Sequence, residues 1–250
     1  MFNLTIITAH FNNIKELILT INSLKAQTYK NWNLIIIDSF TPYLFEKLPE
    51  SIKNDFRVEI IQQESGIYDA MNLGILQVKN PFFQILNAGT IYKSNTILES
   101  VMTKIEILNN KYGPMIHNYK TEVINETGAI KKLKFTKFTY PFNSSHEGKI
   151  YPTPKKNRIL HYHKFKIAAD ANFDLDYSNL YKVFFHQSTL IKYPKGGYSD
   201  SPELFNEKIQ CYILLLLKTI SMARLGGTIY LTNRILRDIF IKLKNKLLKD

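Results

Sequence analysis

The chain has 250 residues, 45% of them hydrophobic and 22% charged, as is ordinary for a folded protein with one large domain or two small ones. The single cysteine, Cys211, excludes an internal disulfide and is typical of a reducing cytoplasm, and the longest apolar run, residues 212–217, is too short to cross a bilayer. The formal net charge of +12 suits nucleic acid, an anionic membrane or phosphorylated substrates, but no zinc spacing, RNA-recognition signature or helix-turn-helix pattern favours nucleic acid.

The first half of the chain alternates predicted strands and helices. The predicted strands are residues 4–8, 32–37, 57–62 and 82–86, and the predicted helices are residues 13–26, 45–54, 66 onward and 94–109. Asn12 or Asn13 is expected to cap the first helix and Ser94 the last. The continuously apolar strand at 32–37 is typical of strands buried on both faces of a parallel sheet. This order predicts an α/β fold with a mostly parallel sheet flanked by helices.

Polar residues follow the predicted strands at the points where they end. They include Thr8 and His10, Asp38, and the stretch 87–90 that begins at Asn87 and ends at Thr90. Ligands of open parallel sheets bind beyond the carboxyl ends of the strands, so these residues predict a binding rim along one edge.

The stretch Gly66–Gly74 predicts the start of a helix directly after a strand. Asp69, Asn72 and Gly74 place a carboxylate, an amide and a bare backbone position on its first turns. A helix start offers unpaired N–H groups to anionic or hydroxyl-rich ligands. In the alternative interpretation, Asp69 only complements the helix dipole and Gly74 only permits close packing.

The second half of the chain is less regular. The pattern predicts an exposed strand at 133–138, a loop-rich stretch at 140–154, a helix from about 167 that carries Asp170, a strand at 181–185 and a turn at Gly196-Gly197. A C-terminal helical extension begins near Glu207, and its last helix carries Leu236, Phe240, Leu243 and Leu247 on one face among cations. That helix either lies on an anionic membrane or packs on the domain with solvated lysines.

Several segments, in order, resemble the motifs of family 2 glycosyltransferases of the Rossmann-like GT-A fold. They are residues 5–13, 27–32, 35–38, 66–75, 86–89, 145–147, 165–170 and 196–199. Their order and spacing are most similar to the colanic acid-type branch, which builds bacterial surface polysaccharides. The resemblance spans about residues 4 to 200, and implies a transferase domain at 1–205, with a nucleotide-sugar half at 1–95 and an acceptor half at 96–205. Residues 206–250 are then a basic amphipathic tail.

The resemblance implies an inverting enzyme that moves a sugar from a nucleotide-sugar donor to a saccharide acceptor. We expect the acceptor to be linked to polyprenyl diphosphate, and the protein to be cytoplasmic and peripheral on the inner face of the cytoplasmic membrane. Binding of nucleic acid is not expected.

The same resemblance assigns roles to the rim residues. Those expected to hold the nucleotide sugar are Thr8, His10, Asp38, Asp69 and Asn87. Asp38 would accept hydrogen bonds from the base or ribose, or else caps the turn at 39–42. Asp69 would contact the ligand or anchor a basic neighbour.

Asp170 is the expected catalytic base, which takes the proton of the acceptor hydroxyl. The alternative is that Asp170 caps a helix. His146 is expected to contact the acceptor or a phosphate, although a lone histidine is often structural.

Thr90 departs from the family pattern, in which an aspartate at this position binds the metal that bridges the diphosphate. Threonine is a poor ligand for Mn²⁺ or Mg²⁺, so the metal binds through the diphosphate and one remaining group, cationic side chains replace it, or the enzyme is impaired. The competing hypothesis is therefore a degenerate, non-catalytic nucleotide-sugar-binding scaffold of a polysaccharide assembly complex. Glu147, where the family often has glutamine, and Ala171-Asn172, where an aromatic residue often follows the aspartate, are further departures on the acceptor side.

Overall fold

The computed structural model describes residues 2–125, 130–132, 145–154, 160, 169–194, 205–221, 231–232, 234–237 and 239. The first half contains β1 (Leu4–His10), α1 (Ile14–Lys25), β2 (Trp32–Asp38), α2 (Leu44–Lys47), α3 (Glu50–Lys53), β3 (Val58–Gln62), α4 (Ile67–Gln77), β4 (Phe82–Ile85), β5 (Ile91–Tyr92) and α5 (Ile97–Tyr112). The second half contains β6 (Ile116–Ile124), β7 (Ile130–Lys132), a 3-10 turn (His146–Gly148), β8 (Lys149–Pro152), α6 (Ala169–Leu180), β9 (Val183–Pro194) and α7 (Phe205–Ser221).

The strands form one sheet in the order β3-β2-β1-β4-β8-β6-β9-β5, with β7 paired to β6. The strands β3, β2, β1 and β4 run parallel, with Ile6 of β1 opposite Leu34 of β2 and Gln84 of β4. Strand β8 is antiparallel to β4 and β6, whereas β6 and β9 are parallel. The predicted α/β fold is confirmed, and its parallel strands lie within residues 1–95, whose role as a nucleotide-sugar half stays a prediction.

Helices cover both faces of the sheet. Successive side chains of a strand point to opposite faces, so the apolar strands present side chains to be buried on each side. Ile6 packs in a core with α1 and α5, which contribute residues such as Leu17 and Met102. Its neighbour Ile7 packs in a second core with α4 and α6, which contribute Met71 and Phe173. The carboxyl ends of β1, β2 and β4, where the rim residues stand, therefore lie between two covered faces.

Several local expectations needed correction. Asn13 precedes α1 without capping it through its side chain, and Thr96 rather than Ser94 stands at the cap position of α5. The predicted helix at 45–54 is two four-residue helices, because Pro49 lacks an N–H and cannot continue the first one; it stands at the cap position directly before the second.

The stretch predicted as loop at 140–154 contains β8 and the 3-10 turn, and β9 continues to Pro194 rather than ending at 185. The predicted strand at 133–138, the turn at Gly196-Gly197 and most of the last basic helix lie outside the described residues.

The helical extension begins by packing on the domain. Cys211 and Leu215 of α7 form a small buried cluster with Leu175 of α6 and Leu231. The beginning of the predicted tail thus contacts the helix that carries Asp170.

Candidate active site

The ends of β1 and β2 hold a buried polar cluster. Nδ1 of His10 lies 2.7 Å from Oδ1 of Asp38, and Nε2 of His10 accepts the backbone N–H of Asn13 at 3.3 Å. The backbone N–H and the hydroxyl of Thr41 donate to the Asp38 carboxylate at 2.9 and 2.6 Å. Both ring nitrogens of His10 are therefore engaged within the protein.

Asp38 is fully buried, which favours its neutral form. Hydrogen bonds from Thr41, His10 and Gln62 nevertheless outweigh this burial and hold the pKa of Asp38 below its ordinary value. The Asp38 carboxylate fastens the loop after β2, as in the capping alternative, and its role toward a nucleotide stays a prediction.

Two further rim residues differ in exposure. The hydroxyl of Thr8 is buried and has no hydrogen-bond partner among the described residues. Asp69 is exposed on the first turn of α4.

Two exposed aromatic rings, which sequence reasoning did not single out, lie in the loops after β1 and β2. Phe11 and Phe40 expose 62% and 58% of their surface there. Phe40 also has a φ of 54°, a strained value for a bulky side chain.

The turn at 87–90 binds a carboxylate from the second half of the chain. Asn87 donates its side-chain N–H to Oε1 of Glu147 at 3.0 Å and its backbone N–H to Oε2 at 3.3 Å. The Thr90 hydroxyl donates to Oε2 as well. Burial raises the pKa of Glu147, and the charge of His146 and these hydrogen bonds counter only part of that rise.

His146 and Asp170 meet beside this turn. Nδ1 of His146 lies 3.3 Å from Oδ2 of Asp170, whose side chain is 31% exposed. Nε2 of His146 is buried without a hydrogen-bond partner in the described part of the chain. Burial lowers the pKa of His146, but the hydrogen bond and charge of Asp170 outweigh it, so this pKa lies above its ordinary value.

Three buried side chains fix the helix that presents Asp170. The Tyr68 hydroxyl accepts the backbone N–H of Ala169 at 3.1 Å, at the first turn of α6. Lys149, itself fully buried, donates to Asp174 one helical turn further on at 2.8 Å, and the Tyr151 hydroxyl donates to the same carboxylate at 2.5 Å. Separation of α6 from β8 would leave one charge of this buried pair without its partner, which is strongly destabilising. The pair therefore holds α6 in place against β8.

The residues of the 87–90 turn do not fit a metal centre built by the protein. Among the described residues, no three histidine, cysteine, aspartate or glutamate side chains come together in a way that could hold a metal ion. Thr90 uses its hydroxyl to donate, and both oxygens of Glu147 already accept hydrogen bonds. Mn²⁺ and Mg²⁺ prefer several carboxylate oxygens, whereas this turn offers a neutral hydroxyl and one carboxylate held by three donors, so a cation here would depend on the diphosphate itself, which stays a prediction.

The structure thus brings together Asn87, Thr90, His146 and Asp170, and separately joins His10 to Asp38. Sequence reasoning missed the roles of Tyr68 and of the Lys149–Asp174 pair, although Tyr68 stands inside the Gly66–Gly74 motif. It recorded Glu147 only as a departure from the family pattern. A charged residue in a predicted loop gave no local sign that it would be buried.

Crystal structures of S. aureus TarS have a similar fold. TarS 1-349 in complex with UDP superimposes with a TM-score of 0.64 at 16% identity, covering 86% of this chain and 65% of that one. The complex of TarS 1-349 with UDP-GlcNAc gives a TM-score of 0.65 at 15% identity, covering 86% and 66%. A longer TarS structure gives 0.64 at 15% identity, and this chain spans only 40% of it. The fold is therefore the GT-A glycosyltransferase fold.

No curated protein matches the sequence. The sequence model of Glycosyl transferase family 2, in contrast, matches residues 5–154, which include both strand ends of the rim, the 87–90 turn and Glu147. Since that match covers more than half of the chain, the chain belongs to glycosyl transferase family 2.

Proposed function

We propose that the chain is an inverting glycosyltransferase that moves a sugar from a nucleotide-sugar donor to a saccharide acceptor. The observation that carries this proposal is that two consecutive residues of one 3-10 turn join the parts of the site: Glu147 accepts from the 87–90 turn and His146 pairs with Asp170. It puts a partly exposed carboxylate beside a turn with polar groups, as group transfer between two bound substrates requires.

Asp170 takes the proton from the acceptor hydroxyl in this mechanism. The hydroxyl oxygen then forms a bond to the anomeric carbon of the donor, while the bond from that carbon to the diphosphate oxygen breaks on the opposite face. The electron pair of the broken bond leaves with the nucleoside diphosphate. His146, whose pKa is raised, offers Nε2 to the acceptor or to a phosphate oxygen.

The donor lies along the ends of β1, β2 and β4 in this proposal, near Thr8, His10, Asp38, Asp69 and Asn87. The exposed rings of Phe11 and Phe40 suit stacking with a nucleobase. The UDP and UDP-GlcNAc complexes of TarS make uridine nucleotides the first donors to test.

The acceptor proposed is a saccharide on polyprenyl diphosphate, in the synthesis of bacterial surface polysaccharide by an enzyme of the colanic acid-type branch. Such a lipid would hold the protein at the inner face of the cytoplasmic membrane. The net charge of +12 supports contact with anionic lipid.

The test is release or transfer of sugar from a panel of nucleotide sugars, measured with Mn²⁺ and with EDTA. We expect turnover with at least one donor, and Asp170→Asn should lower it by about 10²- to 10⁴-fold, because a general base contributes that much. Asp176→Asn is the matched control, since Asp176 lies on the same helix and pairs with Lys218 instead. Equal activity of Asp170→Asn and native protein would remove Asp170 from the mechanism.

A second candidate function is a nucleotide-sugar-binding scaffold without turnover. Thr90 and the hydrogen-bonded state of Glu147 favour it, because a neutral hydroxyl is a weak ligand for a divalent cation and the Glu147 carboxylate is already bound by three donors. Calorimetric titration decides between the two: tight nucleotide binding without turnover of any donor in the panel indicates the scaffold.

A further inference from the structure

Glu147 connects the two halves of the candidate site. Its carboxylate accepts from the side chain and backbone of Asn87 and from the hydroxyl of Thr90, across 57 positions of sequence or more. Its neighbour in sequence, His146, contacts Asp170. One residue thus joins the 87–90 turn to the segment that holds the proposed base.

The backbone of Glu147 is fixed as firmly as its side chain. The buried amide of Gln84 in β4 donates to the Glu147 carbonyl at 2.7 Å, and Gln84 in turn accepts from the Tyr92 hydroxyl at 2.8 Å. The next residue, Gly148, lies so close to β6 that an added Cβ would be 2.6 Å from Thr121 and 2.9 Å from the Tyr119 carbonyl. The segment therefore has little freedom to move away from the turn.

We propose that Glu147 is a positioning residue that holds the 87–90 turn at a fixed place relative to the His146–Asp170 pair. This inference rests on the proposed function, in which the turn faces the donor diphosphate. A buried carboxylate with three donors loses much when one donor is removed, because the group cannot be solvated instead. The placement of the turn thus depends on Glu147 specifically and not on packing alone.

Because Thr90 and Glu147 contact each other, a paired substitution can move the carboxylate from position 147 to position 90. Thr90→Asp alone would place two carboxylates against each other, and Glu147→Gln alone would point an amide N–H at the donors of the turn. In the double variant Thr90→Asp/Glu147→Gln, the glutamine amide donates to the new aspartate. The contact between positions 90 and 147 is then matched again, with the negative charge moved to its other side, and only the 3.3 Å hydrogen bond from the backbone N–H of Asn87, which shares Oε2 with Thr90, loses its acceptor.

The experiment is a double-mutant cycle on these two positions. Melting temperature is measured for each variant, and affinity for whichever of UDP, GDP and dTDP binds the native protein most tightly is measured by calorimetry with Mn²⁺ and with EDTA. We expect each single variant to bind about tenfold more weakly than native protein, and the double variant to return within about threefold. Glu122→Gln is the matched control, since Glu122 is a buried carboxylate that pairs with Lys93. It should lower the melting temperature and leave nucleotide affinity unchanged.

The outcomes separate this inference from the proposed function. Additive effects of the two substitutions on affinity, or an equal loss in Glu122→Gln, would overturn the positioning role. If the native protein binds none of the nucleotides while the melting temperatures still show coupling, the proposed function fails and Glu147 is only a structural clamp. A rise of nucleotide affinity with Mn²⁺ in the double variant, with none in native protein, would further support the transfer of the carboxylate to position 90.

Discussion

The Tyr68 hydroxyl accepts the backbone N–H groups of Ala169 and Asp170, the first two residues of α6. Its replacement in Tyr68→Phe leaves these donors unpaired in a buried place, where such a loss costs about 1–3 kcal/mol. We expect the free energy of unfolding in urea to fall by about 1–2 kcal/mol. Transfer activity should fall further than stability does, because Asp170 loses its support.

Tyr119→Phe is the matched control for this prediction. Tyr119 is buried, 1% exposed against 8% for Tyr68, but its hydroxyl has no hydrogen-bond partner among the described residues. Removal of the Tyr119 hydroxyl should therefore change the free energy of unfolding very little. Equal destabilisation by the two substitutions would mean that the ring, and not the hydroxyl, supports α6.

His117 should make the protein sensitive to acid. It is buried 3.0 Å from His186, and burial, together with the charge of His186, lowers the pKa of His117 to about 3. Burial also lowers the pKa of His186, to about 4, helped by the charge of Lys104. In the unfolded chain a histidine titrates near 6.5, so unfolding takes up protons below that pH. The stability gained from a neutral His117 is present above pH 6.5 and is lost as the pH falls toward 3.

The comparison that isolates this effect is His117→Gln against native protein. Between pH 7 and 4.5, the native protein should lose about 2.5 kcal/mol more unfolding free energy than the variant, because His117 contributes up to about 1.4 kcal/mol per pH unit. Urea denaturation at the two pH values measures the difference. An equal loss of unfolding free energy in both proteins would show that His117 is already protonated in the folded state at pH 4.5.

The residues of the site show what single-sequence reasoning can find. Asn87, His146 and Asp170 stand in motifs with recognisable neighbours, so the sequence singles them out as candidates; the structure places them near one another, and their roles stay predictions. The contact of Thr90 with Glu147 spans 57 positions and follows no local pattern. Its chemistry becomes visible only when β8 has paired with β4 and brought the two segments together.

At the scale of elements, α4 depends on a glycine where it crosses β1. A Cβ added to Gly74 would lie 2.3 Å from Cγ2 of Ile7, which is closer than side chains can approach. We expect Gly74→Ala to shift α4 away from the sheet and to destabilise the protein by about 1–3 kcal/mol, as overpacking does. Its gain in helix propensity, about 1 kcal/mol, does not offset the larger end of that range. Thermal or urea unfolding measures the change.

Gly66→Ala serves as the control at the start of the same helix. Its added Cβ would be 3.6 Å from the Asp69 side chain, an ordinary contact, and its φ of −70° suits alanine. A neutral Gly66→Ala with a destabilised Gly74→Ala would support the close-packing interpretation of Gly74. A neutral Gly74→Ala would show that α4 is free to move.

Elements with a strong period were predictable and those defined by pairing were not. The apolar spacing of α1 and the continuous run of β2 locate both within two residues. Strand β8 contains Pro152, follows a loop-like composition and includes the charged Lys149, so nothing local indicates a strand. It exists because β4 and β6 pair with it and because Asp174 neutralises the buried lysine.

The molecule as a whole combines a basic surface with an exposed apolar stripe on α7. Ile213, Leu217 and Ile220 are 45%, 60% and 56% exposed and lie on one helix face, while Cys211 and Leu215 on the other face pack against α6. No described helix is long and apolar enough to cross a membrane. An apolar stripe on a protein of net charge +12 suits partial insertion into an anionic lipid surface.

Replacement of all three stripe residues by glutamine should therefore weaken binding to vesicles that contain anionic lipid. Full burial of one such side chain contributes about 1.5–3 kcal/mol, so even partial insertion of three should change the partition coefficient by at least about tenfold. Co-sedimentation with anionic and with neutral vesicles measures it, and the native protein should bind the anionic ones more tightly at low salt. A control variant, Leu19→Gln/Ile107→Gln/Tyr112→Gln, replaces three apolar residues of α1 and α5 that are 52%, 62% and 59% exposed. The helices α1 and α5 lie on the sheet face opposite α6, on which α7 packs. This control should therefore bind anionic vesicles as native protein does. An equal loss in both variants would mean that no particular face meets the lipid, and unchanged binding of the α7 variant would leave the basic charge alone as the attraction.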